Sequence, residues 1–143
     1  MISNKIKTFC QSKGWWYEDY TEEYTNALKE LKINLESDFA KFYLHVEDAP
    51  TFYSRQKKIY QICWFILNSD YQLDLNRTHD ALKLPKSLIP LDSFEGGAGY
   101  FYDRENGSVI ELELGEKLTN YQNGIIEVKW ETFNSFLEWY FEL

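Results

Sequence analysis

The stretch Leu88–Leu114, LIPLDSFEGGAGYFYDRENGSVIELEL, constrains the fold more than any other part of the chain. It reads as three antiparallel strands, Leu88–Phe94, Ala98–Asp103 and Ser108–Leu114, joined by Glu95-Gly96-Gly97 and by Asp103-Arg104-Glu105-Asn106-Gly107. Asn-Gly supplies the positive φ that tight hairpins need, and strand-type residues flank both turns. With a four-residue loop at Arg104–Gly107, Tyr102 opposes Val109, Phe101 opposes Ile110 and Tyr100 opposes Glu111. With a two-residue loop at Asn106-Gly107, the partner of Tyr102 becomes Glu111. A shift of two keeps every side chain on its own face, whereas a slip of one reverses them. In either register Phe101, Ile110, Leu112 and Leu114 share an apolar face, and Tyr100, Tyr102, Glu111 and Glu113 share the other.

Burying an unpaired carboxylate costs several kcal/mol, more than the ~1.5–3 kcal/mol that a buried leucine returns. The glutamate face is therefore expected to meet solvent or a basic partner, with Asp92 and Glu95 extending it. Both an ordinary solvated sheet face and a binding surface fit that pattern, since Tyr over Glu is a sound cross-strand pair.

Upstream, Ile2, Ile6, Phe9 and Cys10 recur at helical spacing, with Gly14 as the stop. Trp15, Trp16 and Tyr17 form an aromatic link. Thr21 caps a second helix carrying Tyr24, Ala27, Leu28 and Leu31, and Leu35, Phe39, Phe42 and Tyr43 mark a third that begins near Ser37 and Asp38. After the break at Asp48-Ala49-Pro50, Thr51–Ser54 and Ile59–Leu67 read as strands around the basic turn Arg55–Lys58. The second of these is apolar on both parities, as a buried strand would be. Tyr71–Leu84 keeps no single period and is ambiguous, reading as irregular chain with room for a helical turn. Gly115–Asn123 reads as a polar loop and Ile125–Lys129 as an edge or returning strand. Thr132 caps a closing helix with Phe133, Phe136, Leu137, Tyr140 and Phe141 on its buried face. Helices, then an antiparallel sheet, then one helix packed on that sheet make an α+β chain, expected to form one domain over residues 1–143.

The chain's 15 Lys/Arg against 23 Asp/Glu give a net charge of −8. Residues 1–58 hold nine of each sign and balance, so the excess falls on residues 59–143, with six basic against fourteen acidic. Nucleic-acid binders need a basic footprint, and an anionic membrane surface needs the same. Neither partner is expected. The charge serves solubility or steers a basic protein partner. With 5 Trp, 11 Tyr and 10 Phe, the chain is rich in the side chains that anchor protein interfaces.

Catalytic and metal chemistry has little to stand on. Gly96-Gly97-Ala98-Gly99 lacks the G-K-[ST] ending of a phosphate loop and leads into a strand, so it reads as a turn with close strand packing. His45 and His79 have no ligand at metal spacing and read as surface or satisfied histidines. Cys10 and Cys63 read as reduced thiols rather than a bridge or a zinc pair. Glu111 and Glu113 lie on one strand face, not across a cleft as an acid/base pair does. No catalytic, cofactor or metal site is expected. Met1–Lys13 has no apolar signal core and Ile62–Leu67 is too short to span a bilayer, so a cytoplasmic protein is expected.

The order of several pieces resembles the SUKH superfamily, which includes immunity proteins of bacterial polymorphic toxin systems and fungal cell-wall-signalling regulators. The pieces are Leu31–Leu35 leading into Asp38–Tyr43, Cys63-Trp64, Leu84-Pro85 with Leu88–Leu91, Gly96-Gly97, Tyr100–Asp103, Asn106–Val109 and Thr132–Leu137. The likeness runs from about Thr21 to the C-terminus. It departs where many members have Leu-Pro entering the third helix and Asn-Gly-Gly after it; this chain has Leu35-Glu36 and Val46–Pro50. The resemblance implies a protein that neutralises a cognate toxin domain, often a nuclease, by stoichiometric binding without catalysis. Asp92, Glu95, Tyr100, Tyr102, Glu111 and Glu113 are the expected contact residues. A regulatory scaffold is the first alternative, followed by a small-ligand sensor at Gly96–Gly99 and a hydrolase using surface carboxylates.

Overall fold

A computed structural model describes residues 1–143. The chain is α+β, with seven α-helices, a two-stranded sheet and a three-stranded sheet. It divides into two compact units, Met1–Ser69 with Asn134–Leu143, and Asp70–Phe133.

In the first unit, α1 (Asn4–Ser12), α2 (Glu22–Glu30) and α3 (Asp38–His45) begin at Ser3, Thr21 and Ser37, whose hydroxyls accept from the backbone N–H three residues on. Gly14, at φ +75°, follows α1 where the sequence places its stop. Strands β1 (Thr51–Ser54) and β2 (Lys57–Tyr60) pair antiparallel with Thr51 opposite Tyr60. Arg55 and Gln56 both hold positive φ, as a two-residue hairpin loop requires, although neither is glycine. The closing helix α7 (Phe133–Tyr140) braces that turn. The Tyr140 hydroxyl accepts from Ser54 N at 3.0 Å and donates to Lys57 O at 2.5 Å, and the Arg55 guanidinium lies 4.3 Å from the Trp139 ring centre. Phe9, Trp15, Phe42, Phe52 and Phe141 form an aromatic cluster beneath, with neighbouring ring centres 5.1–6.3 Å apart.

Ile59–Leu67 is not one strand: β2 ends at Tyr60, and α4 (Ile62–Asn68) follows. A run apolar on both parities does not distinguish a buried strand from a helix. Gln61 decides it. Its side chain is fully buried; Oε1 accepts from Cys63 N and Trp64 N at 2.9 and 3.3 Å, while Nε2 donates to Tyr43 O and Val46 O at 3.0 and 2.8 Å. One amide thus starts α4 and finishes α3.

In the second unit, Tyr71–Ala81 is ordered rather than irregular. It forms α5 (Tyr71–Asn76) and a π-helical turn at Arg77–Ala81, tied down by the Tyr71 hydroxyl donating to Pro90 O at 2.6 Å. Gly115–Asn123 is likewise not a loop: α6 (Glu116–Gln122) puts Leu118 into a core of Leu82, Leu84, Leu88, Phe101, Ile110 and Leu112. Ile125–Lys129 forms no strand; the chain rejoins the sheet only through the bridge between Val109 and Trp130.

The sheet of this unit has the order β3-β4-β5, from Leu88–Pro90, Ala98–Asp103 and Val109–Glu113. Its hairpin takes the four-residue loop: Tyr102 opposes Val109, Phe101 opposes Ile110 and Tyr100 opposes Glu111. The first strand stops at Pro90, short of the expected Phe94, because the Asp92 carboxylate turns the chain by accepting from Phe94 N at 3.0 Å and Tyr100 N at 3.3 Å. Of the glycine cluster, Gly97 and Gly99 pack as closely as expected, whereas Gly96 faces open space and serves the turn through its positive φ. A Cβ on Gly99 would meet Asp92 Oδ1 at 2.5 Å and Phe94 Cδ1 at 2.9 Å, and moving Asp92 aside would break its bonds from Phe94 N and Tyr100 N. Gly99→Ala should therefore lose about 1–3 kcal/mol in urea denaturation, the usual range for overpacking.

Candidate functional site

The sheet face expected to meet a partner is largely covered. Tyr100 and Tyr102 are 3% and 4% exposed. Backbone bonds between Val109 and Trp130 (2.8 and 3.1 Å) pin the returning chain beside β5. Trp130 then meets the Tyr100 ring edge-on at 5.9 Å, and Phe133 meets Tyr102 at 5.7 Å. The solvation argument holds for carboxylates, but not for phenols, which gain from burial once the hydroxyl is paired. Asp92 is also buried, at 3% exposure, and works as a turn-forming acceptor rather than a surface charge. The outward-facing reading is thus corrected for Asp92, Tyr100 and Tyr102. Glu95 and Glu113 are exposed. Glu111 is half-buried and pairs with Lys129 at 3.1 Å and Lys117 at 3.4 Å. Burial alone would raise its carboxyl, but the hydrogen bonds and charges of the two lysines outweigh it and hold it below the usual range. Glu111 is thus internally neutralised, while Glu95 and Glu113 stand exposed.

The first unit carries a different acidic–aromatic feature. An open groove of about 530 Å³ lies between the Tyr17–Thr21 link, the start of α2, the end of α3 with Val46-Glu47, and the end of α4. Leu44 and Val46 form its buried floor. Tyr17 and Tyr20 stand on its rim, 54% and 48% exposed, with Asp19 and Glu23 beside them. None of the lining residues is Lys or Arg, and neither Asp19 nor Glu23 enters an ion pair.

Local chemistry fixes these side chains. Backbone pairing of Trp16 with Val46, through Tyr17 N to His45 O (2.7 Å) and Glu47 N to Trp15 O (3.0 Å), lashes the aromatic link to the end of α3. His45 Nδ1 donates to Tyr17 O at 2.8 Å; its ring stacks on Trp16 at 4.8 Å and meets Tyr20 edge-on at 5.0 Å. At the inner end, the Tyr24 hydroxyl donates to Glu47 Oε1. Burial pushes the Tyr24 phenol up, and the hydrogen bond to Glu47 and its negative charge push it further, so Tyr24 stays a neutral donor. The groove is therefore preorganised: Glu47 is held from within, whereas Asp19 and Glu23 make no ion pair.

Chemistry of other kinds finds less. No group of three or more His, Cys, Asp or Glu side chains converges to hold a metal ion. His79 Nε2 donates to Leu88 O at 2.7 Å. Cys10 and Cys63 are free and fully buried, and burial pushes each thiol up to about 12, with the Glu47 charge adding to the effect at Cys63. Thiolate is the reactive form, so both should alkylate on the order of a thousandfold more slowly in the native protein than in denaturant at pH 8. Mass spectrometry after an iodoacetamide pulse checks this. No helix is long and apolar enough to cross a membrane.

Sequence reasoning passed over the groove although Tyr17-Glu18-Asp19-Tyr20-Thr21-Glu22-Glu23-Tyr24 was in plain view. Four acids and no base lie in those eight residues, but their charge cancels when averaged over residues 1–58. Comparison with protein-family models, with curated proteins and with solved structures finds no match.

Proposed function

We propose that this chain is a SUKH-like immunity protein, acting in the cytoplasm, which neutralises a basic toxin domain of the nuclease kind by stoichiometric binding through the groove of the first unit. The observation that carries this reading is the groove itself: exposed tyrosines around uncompensated carboxylates, with no lysine or arginine in the lining. Exposed Tyr supplies apolar contact area at low cost in conformational freedom, and Tyr is enriched among interface hot spots. Nucleases concentrate positive charge where they hold phosphate, so an acidic surface can occupy that site and be steered towards it. The resemblance noted in the sequence supplies the biological setting, and the groove supplies a surface suited to it. Glu95 and Glu113 remain exposed and add to the negative field of the chain without forming the contact.

The reading expects the immediately upstream reading frame to encode a toxin domain, and the experiment is co-expression of this chain with that frame's product. Restored growth and a 1:1 complex on size-exclusion chromatography are expected. A neighbouring toxin that stays lethal and elutes apart from this chain contradicts the reading.

A further inference from the structure

We infer that the groove of the first unit seats an arginine side chain presented by a protein partner, with the guanidinium between the Asp19 and Glu23 carboxylates and the tyrosine rings of the rim. This deepens the proposal above by naming the group the groove recognises, and it rests on the groove being the partner surface.

The groove's lining makes the case by complementarity. Its floor is apolar, through Leu44 and Val46, and suits the three-methylene stem of an arginine. Its rim offers the faces and hydroxyls of Tyr17 and Tyr20, more than two-fifths exposed each. A cation over a tyrosine face is attracted by the ring quadrupole. Asp19 and Glu23 have no cation of their own in this chain, and Glu47 adds negative charge at the inner end while held by Tyr24.

Elsewhere the protein already uses the same chemistry internally. Arg55 lies over Trp139 at 4.3 Å, and Lys7 lies 4.9 Å from the Trp16 ring centre. The Trp16 ring also stacks on His45, which lines the groove, so the cation of Lys7 and the imidazole hold that ring between them. Guanidinium fits better than ammonium because it is planar, more weakly hydrated, stacks on rings and offers paired donors to a carboxylate. At about 530 Å³ the groove also exceeds a single side chain and is within the size that ordinary ligand sites have. An arginine carried on a loop, with flanking backbone, is therefore the fitting occupant rather than a free amino acid.

Nuclear magnetic resonance titration of the whole chain with a blocked Gly-Arg-Gly peptide tests this without any toxin. The Trp16 indole N–H, which donates to Glu18 Oε1 at 3.0 Å, and the amides of residues 17–24 and 45–47 are the reporters. Saturable shifts are expected there, with the citrulline peptide, which keeps the shape and loses the charge, at least about fivefold weaker. Asp19→Asn/Glu23→Gln, at two exposed positions, should weaken the arginine peptide by a similar factor and leave the rest of the spectrum in place. Equal shifts from the arginine and citrulline peptides overturn the inference. So do shifts confined to the Glu111–Glu113 strand, and so does free arginine binding as tightly as the peptide, which makes the groove a small-molecule site. If the toxin co-expression fails while the peptide still discriminates, the immunity reading falls and this inference stands. If protection succeeds with no discrimination, this inference falls alone.

Discussion

Gln61→Leu should destabilise the protein by about 3–5 kcal/mol and lower its melting temperature by roughly 10–20 °C. The amide is fully buried and serves four backbone groups: the carbonyls of Tyr43 and Val46, and the N–H groups of Cys63 and Trp64. Leucine fills the space but strands all four. Each buried unpaired polar group costs about 1–3 kcal/mol, partly relieved by relaxation at the helix ends. Against a total stability of about 5–15 kcal/mol, one substitution approaches the threshold for unfolding. Gln61→Glu separates the two halves of the role. Its carboxylate still accepts from the α4 N–H groups but loses both donors and faces two carbonyl oxygens. Those carbonyls favour the protonated form, so its folded carboxyl lies above the unfolded value of about 4.3. A raised folded value means stability is retained at low pH and lost as pH rises, so the deficit relative to wild type should shrink towards about pH 4. Urea melts at pH 4 and pH 7 read this directly.

The second large effect concerns binding. Asp19→Lys/Glu23→Lys exchanges two exposed carboxylates beside Tyr17 and Tyr20 for ammonium groups and turns the groove rim positive. Association with a basic toxin domain should slow by about 10–100-fold at low ionic strength, and by far less near 0.5 M salt, where charges beyond a few ångströms are screened. Stability should fall only slightly, since neither side chain makes an ion pair, although Glu23 lies in the first turn of α2, where a cation opposes the helix dipole by about 0.3–1 kcal/mol. Glu111→Lys/Glu113→Lys carries the same change in net charge at the sheet. It should lower stability modestly, by setting a third cation beside Lys117 and Lys129, while altering association only through net charge. Stopped-flow traces at two salt concentrations distinguish a local groove effect from a global one.

Those two results map onto what could and could not be read before the structure. The faces of the hairpin were legible because alternation fixes them in either register, but the register itself was open between a two-residue Asn106-Gly107 turn and a four-residue loop; the structure takes the four-residue loop, with Tyr100 opposite Glu111. The helices capped by Ser3, Thr21 and Ser37 were legible from apolar spacing and, at Thr21 and Ser37, from the capping residue itself. Helix α4 was not legible, because its signal lies in Gln61. Glutamine is not an ordinary N-cap, and its worth comes from Tyr43 and Val46, 18 and 15 residues away. Tyr71–Ala81 was obscured by a change of helical pitch, and α6 by a start at Gly115 with no side-chain cap. At the sheet face the charge argument correctly kept Glu113 in solvent. It then carried Tyr100 and Tyr102 along by proximity, although phenols obey a different rule. The groove needed Tyr17–Thr21, α2, α3 and α4 brought together, and only the fold does that.

A hydroxyl-radical footprint of the complex with the proposed toxin partner is the most direct test of where this chain makes contact. Tyr17 and Tyr20 are open to solvent in the free protein, as are Leu114, Ile125 and Ile126 in the second unit, so both surfaces start out reactive. Strong protection of Tyr17 and Tyr20 on binding, with Leu114, Ile125 and Ile126 unchanged, is the predicted result. Protection of Leu114, Ile125 and Ile126 with the two tyrosines still fully oxidised would contradict it.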